Sequence, residues 1–103
     1  MQHIVILRLD PGASEEAQAR YRRAEVEKVW DLTVSGTLRS IHFFSESGSN
    51  HGAVLNVETA DRAGAETAAR SLPMVAAGLL RAEILTLTPF TGLAALFANS
   101  EAA

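Results

Sequence analysis

The 103-residue chain contains no cysteine, three prolines and a single lysine, Lys28. Without thiols it has no disulfide framework, no thiolate metal site and no thiol nucleophile, a composition that fits a reducing compartment. Aromatic residues make up only 6% of the chain, so a cavity lined by aromatic rings is not expected. Positive charge is scarce as well. Nine basic residues against twelve acidic ones give a net charge near −3 and a pI near 5.5, which offers no field for a polyphosphate, and nucleic acid is not an expected partner. Residues 1–10 lack the basic segment, apolar segment and small-residue cleavage site of a secretory leader, so a cytoplasmic address is expected. The longest uncharged stretch, 84–100, is interrupted by Pro89, Gly92 and several threonines and begins with strand-like alternation. It is not read as a membrane span, and no membrane partner is expected.

What is present is a globular composition, 48% hydrophobic and 20% charged. At 11.0 kDa, area scaling gives a folded surface of about 5,600 Å², enough for one small core. His3–Leu9, rich in leucine and β-branched residues, predicts a strand that stops at Asp10-Pro11-Gly12. Ser14 is placed to cap a helix with Glu15 and Glu16 in its first turn, running to about Val34 with Gly36 beyond its end. Thr37–Ser45 and Gly52–Glu58 read as a hairpin joined by the polar loop 46–51. Asp61 opens a second helix that presents Ala65, Ala68, Ala69 and Leu72 on one face and stops at Pro73. An apolar connector, 74–80, then leads to a fourth strand over Arg81–Thr88.

The order β-α-β-β-α-β predicts an α+β, ferredoxin-like sheet of four antiparallel strands with both helices on one face. Residues 1–90 form the domain, and 91–103 an apolar tail expected to dock on a partner subunit. Because the strands carry apolar residues at both parities, a second copy is the expected cover for the bare sheet face, giving a homodimer or a higher homo-oligomer.

With these elements, the chain resembles the muconolactone isomerase-like members of the dimeric α+β barrel superfamily. The resemblance spans nearly the whole chain and rests on Glu25, the stretch 32–41, the strand Gly52–Glu58, Ser71-Leu72-Pro73-Met74, Ala77-Gly78-Leu79-Leu80 and Leu87-Thr88-Pro89-Phe90. The superfamily also holds cofactor-free oxygenases and YciI-like proteins. True muconolactone isomerases carry an aromatic residue at the position of His42 and lack the Leu-x-x-Leu-Phe ending of the tail. What the resemblance implies is a cofactor-independent shift of a proton in a small unsaturated lactone or carbonyl acid. The alternatives are a non-catalytic dimeric module that binds a small ligand or serves assembly, and third, a cofactor-free oxygenase.

Candidate chemistry can be read from the residues themselves. Glu25 lies within the apolar stripe Tyr21, Val29 and Leu32 of the first helix. Buried alone, it becomes a general base; paired with Arg39 under the helix, it is structural, which is the plainer reading. Strand parity sets Arg39 with Ile41 and Phe43, and His42 with Leu38, Ser40 and Phe44, so Arg39 and His42 share no cavity without a bulge. His42 is a second proton-transfer candidate, with an interface histidine as its ordinary role. Arg39 or Arg8 is the expected holder of a carboxylate or enolate, and Asn56 a polar ligand contact. His51 is expected in the solvated loop, His3 at a sheet edge, and Trp30 in a core or an interface. No cofactor is expected, and three scattered histidines give no metal spacing.

Overall fold

The computed structural model describes residues 1–46 and 49–97, with 49 and 50 described by backbone alone. Strand β1 (Gln2–Leu9) leads through the Pro11-Gly12 turn to helix α1 (Glu15–Val34). Ser14 Oγ accepts the Ala17 N–H at 3.0 Å, satisfying an amide that the first helical turn leaves without a partner. The helix ends where Gly36 adopts φ +81°, a left-handed geometry that glycine takes without a Cβ penalty. Strands β2 (Leu38–Glu46) and β3 (Ser49–Glu58) form the hairpin. It is longer than the sequence predicts, and its tip at 47–48 lies outside the described residues. Helix α2 (Arg62–Arg70) starts on Asp61, whose Oδ1 accepts the Gly64 N–H at 2.8 Å.

Pro73 does not end α2, which stops at Arg70. It opens a separate one-turn helix, α3 (Pro73–Ala76), at the position where a missing amide proton costs nothing. Strand β4 (Leu80–Thr86) completes an antiparallel sheet of order β2-β3-β1-β4. A 3₁₀ turn over Gly92–Leu96 follows. The observed fold is therefore the expected α+β, ferredoxin-like one.

One face of the sheet carries the core. Val5, Leu7, Leu38, Leu55 and Val57 are buried against Ala65, Ala68, Ala69 and Leu72, and the alanines let α2 approach closely. His3, expected at an edge, is completely buried, because β1 lies between β3 and β4 inside the sheet. Its Nδ1 is 3.0 Å from Thr86 Oγ1.

A β-bulge reorganises β2. Leu38 pairs with Val57, but the next pair is Ser40 with Asn56, leaving Arg39 as the extra residue. Beyond it, Ile41 and Phe43 lie opposite Leu55 and Ala53 on the helix side, and His42 and Phe44 opposite Val54 and Gly52 on the open side. Leu38 therefore shares the core face with Ile41 and Phe43, which corrects the parity grouping of Leu38 with His42.

Candidate functional site

Helix α1 covers the sheet incompletely, and none of its residues is fully buried. Gln18, Arg22, Glu25, Val26 and Val29 of α1 border a space at the end of the sheet where β1 finishes and β4 begins. The space enclosed is a cavity of about 630 Å³, a volume suited to a small molecule. Leu7, Leu9, Ile41, Phe43, Ala53 and Leu80 supply the sheet wall, Val26 and Val29 the helix wall, and Leu72 and Met74 the side toward α3. Four polar side chains reach this apolar space: Gln18, Arg22 and Glu25 from α1, and His51 from β3.

The positions of the first three follow from helical geometry. Residues 18, 22 and 25 are separated by four and three, so they project from one face of α1. Glu25 is partly buried, and loss of hydration pushes its carboxyl above the usual carboxylate range. Its Oε1 accepts the Met74 N–H at 2.9 Å, which acts in the opposite direction and ties α1 to α3. Arg22 donates to Glu15 Oε1 at 2.7 Å in an exposed pair, so a guanidinium stands beside the cavity without neutralising Glu25. A carboxyl held toward its acid form, a nearby cation and an apolar wall can together bind a small polar ring and exchange a proton with it.

The structure separates the sequence-predicted candidates. Glu25 alone among them lines the cavity. No ion pair joins it to Arg39 among the described residues; Arg39 is exposed at the bulge, and a backbone amide takes the place of the expected guanidinium. Arg8, His42 and Asn56 share the open sheet face. There Arg8 lies over the Phe44 ring, 5.5 Å from its centroid, across Gly52. Asn56 Oδ1 and Glu58 Oε2 are buried on that face without hydrogen-bond partners. Gln18, Arg22 and His51 were not among the expected site residues. The spacing of Gln18 and Arg22 from Glu25 carried the signal. That of His51 was hidden, because the loop expected around it is strand from Ser49 onward.

Trp30, expected in a core or an interface, is 65% exposed in the isolated chain. Among the described residues, no group of three or more metal-ligating side chains is assembled, and no helix is long and apolar enough to cross a membrane.

No protein-family model matches the chain, and no curated protein matches it. Among solved structures it is similar to 5-chloro-2-hydroxyhydroquinone dehydrochlorinase, TftG, from Burkholderia phenoliruptrix AC1100, in its complex with 2,5-dihydroxybenzoquinone. The TM-score is 0.68 at 13% identity, over 89% of this chain and 98% of that one. The likeness is one of fold, a four-stranded antiparallel sheet with its helices on one face. The protein At3g17210 from Arabidopsis thaliana also matches, with a TM-score of 0.46 at 14% identity over 87% of this chain and 95% of that one.

Proposed function

We propose that this chain is a small-molecule enzyme that moves a proton within a compact unsaturated ring, a lactone or related carbonyl acid, bound between α1 and the sheet. The observation that carries this reading is the position of Glu25, a carboxyl with a raised pKa that faces an apolar cavity of about 630 Å³. Removing a C–H proton next to a carbonyl needs a base whose pKa is drawn toward that of the reacting medium and a donor or cation for the enolate oxygen. Glu25 is the base, and Arg22, which lines the same cavity, the cation for the developing negative charge. TftG, whose substrate is by name a hydroxylated, chlorinated ring, supports the use of this fold for small cyclic compounds. The open sheet face is the proposed homodimer surface, since Ile4, Ile6, Val54 and Phe44 are only partly covered and Leu85 is 45% exposed.

The test is exchange chemistry. Incubation of the full-length protein with muconolactone and related butenolides in D₂O should exchange the acidic ring proton, read by NMR. Glu25→Gln should slow that exchange about 10²–10⁴-fold. Exchange at the parental rate in that variant removes Glu25 from the chemistry.

A second reading, a ligand-binding or assembly module without turnover, is favoured by the Met74 N–H bond, which gives Glu25 a structural task of its own. Under that reading the same compounds bind, shifting cavity resonances, and no exchange occurs.

A further inference from the structure

Helix α1 turns Glu25, Val29 and Leu32 inward, yet its outer side is apolar as well. Val26, Trp30 and Val34 follow one another there at four-residue spacing, with 63, 65 and 67% of their surface in water. Single apolar residues are ordinary on a surface, but three in succession on one helix make a continuous strip. Just before the strip, Ala19, Arg22, Arg23 and Val26 surround a shallow groove, with Glu27 at its rim. Their spacing of i, i+3, i+4 and i+7 is that of the four side chains that form a hole for a knob from a facing helix.

The charges on this side have a direction too. Arg20 and Arg23 lie before Val26, and Glu27 and Asp31 after it. Asp31 has no ion pair within the chain among the described residues. It stands near the C-terminal end of α1, where the partial negative charge of the helix disfavours a carboxylate and the last turn holds no basic residue. Arg20 is tied only loosely, 3.7 Å from Glu16. A helix side with a hole and cations on one side of Val26, and a knob and anions on the other, is complementary to itself turned end to end.

We propose that α1 of a second copy packs antiparallel on this outer side, with the twofold axis at Val26. Residues equally far from Val26 then face each other, an isologous contact. The two Val26 side chains meet on the axis. Trp30 enters the hole of the other copy, where Arg22 and Arg23 can lie over its ring, and Val34 covers Ala19. Arg20 and Asp31, on one flank, come together across the contact. Two 20-residue helices about 30 Å long bury about 1,000 Å² in this way, the low end for a specific interface, so the pairing is a reversible one. Arg22 and Val26 line both the groove and the inner cavity, so the pairing also seats Arg22 beneath an indole at the cavity's flank. The contact is separate from the open sheet face and does not depend on any reaction in the cavity.

The chain has no native cysteine, so one introduced thiol reports the contact. Full-length Val26→Cys, on the axis, should oxidise to a disulfide-linked dimer in several-fold higher yield than Arg70→Cys on exposed α2. In sedimentation at roughly 100 μM, Val26→Glu sets two carboxylates face to face and should raise the dissociation constant of the α1 contact about a hundredfold. Asp31→Arg should raise it about tenfold, and adding Arg20→Asp should bring it back to within about threefold of the parent's, a recovery that damage to the helix itself would not give. Equal disulfide yields from Val26→Cys and Arg70→Cys, unchanged association of Val26→Glu, or no recovery in the Arg20→Asp, Asp31→Arg double variant overturns the proposal. None of these readouts involves turnover, so loss of the proton-shift reading leaves them intact.

Discussion

A single carboxyl shows how an element's sequence becomes electrostatics. Glu25 faces inward because it shares the phase of Tyr21, Val29 and Leu32 on α1, and that phase was legible from spacing alone. Its partner was not, because a backbone amide leaves no trace in the order of residue types. The sign of the stability effect follows from the raised pKa. The folded chain holds the Glu25 proton more tightly than the unfolded chain. The folded state therefore loses stability as pH rises through the ordinary carboxyl value near 4.3, and the loss is complete above the raised value. Glu25→Gln keeps an oxygen for the Met74 N–H and removes the charge. Its melting temperature should exceed the parent's at pH 7–8, and the gap should close as the pH is lowered below the ordinary carboxyl range. A gap that persists in acid would trace the gain to packing instead. Asp10 behaves in the opposite way: the hydrogen bond from Arg81, together with the Gly12 N–H, holds its carboxyl below the usual range.

Among the elements, β2 marks the limit of pattern reading. Strict alternation assigns Leu38 and His42 to one face, and it fails because the bulge at Arg39 adds a residue that β3 does not match. Nothing in Leu38-Arg39-Ser40 announces a bulge; neither glycine nor proline is present. Both ends of α1 and the start of α2 were readable, since Ser14, Gly36 and Asp61 each act through a local bond or dihedral angle that belongs to the residue type, whereas the end of α2 at Arg70 was not. The β3 start was less so, since its polar residues resemble a loop until β2 pairs with them. Gly52 sits in close contact with both neighbouring strands. A Cβ there would overlap the Leu7 carbonyl and meet the Phe44 ring at 2.6–2.7 Å. Gly52→Ala should cost about 1–3 kcal/mol, read as a lower urea midpoint with an unchanged slope, and should displace Phe44 from Arg8. A midpoint within error of the parent's would mean that the strands separate there without cost.

At the scale of the whole molecule, the sheet has one face committed to its own helices and another that they leave uncovered. On the open face Ile6 stands between Val54 on β3 and Glu83 on β4. Ile6→Asp adds a carboxylate beside Glu83. If this face is the dimer surface, it should weaken self-association about a hundredfold or more, roughly 3 kcal/mol, in sedimentation or light scattering. Unchanged association would move the dimer surface elsewhere.

The four strands also act as a partition wall one side chain thick on each side. Because successive residues belong to different compartments, substitution at Ile41, Phe43 or Ala53 reshapes the chamber wall, while substitution at His42, Phe44 or Val54, their immediate neighbours along the chain, alters only the opposite surface. The shape of the chamber and the character of the opposite surface are thereby adjustable nearly independently of each other, residue by residue along the same strand.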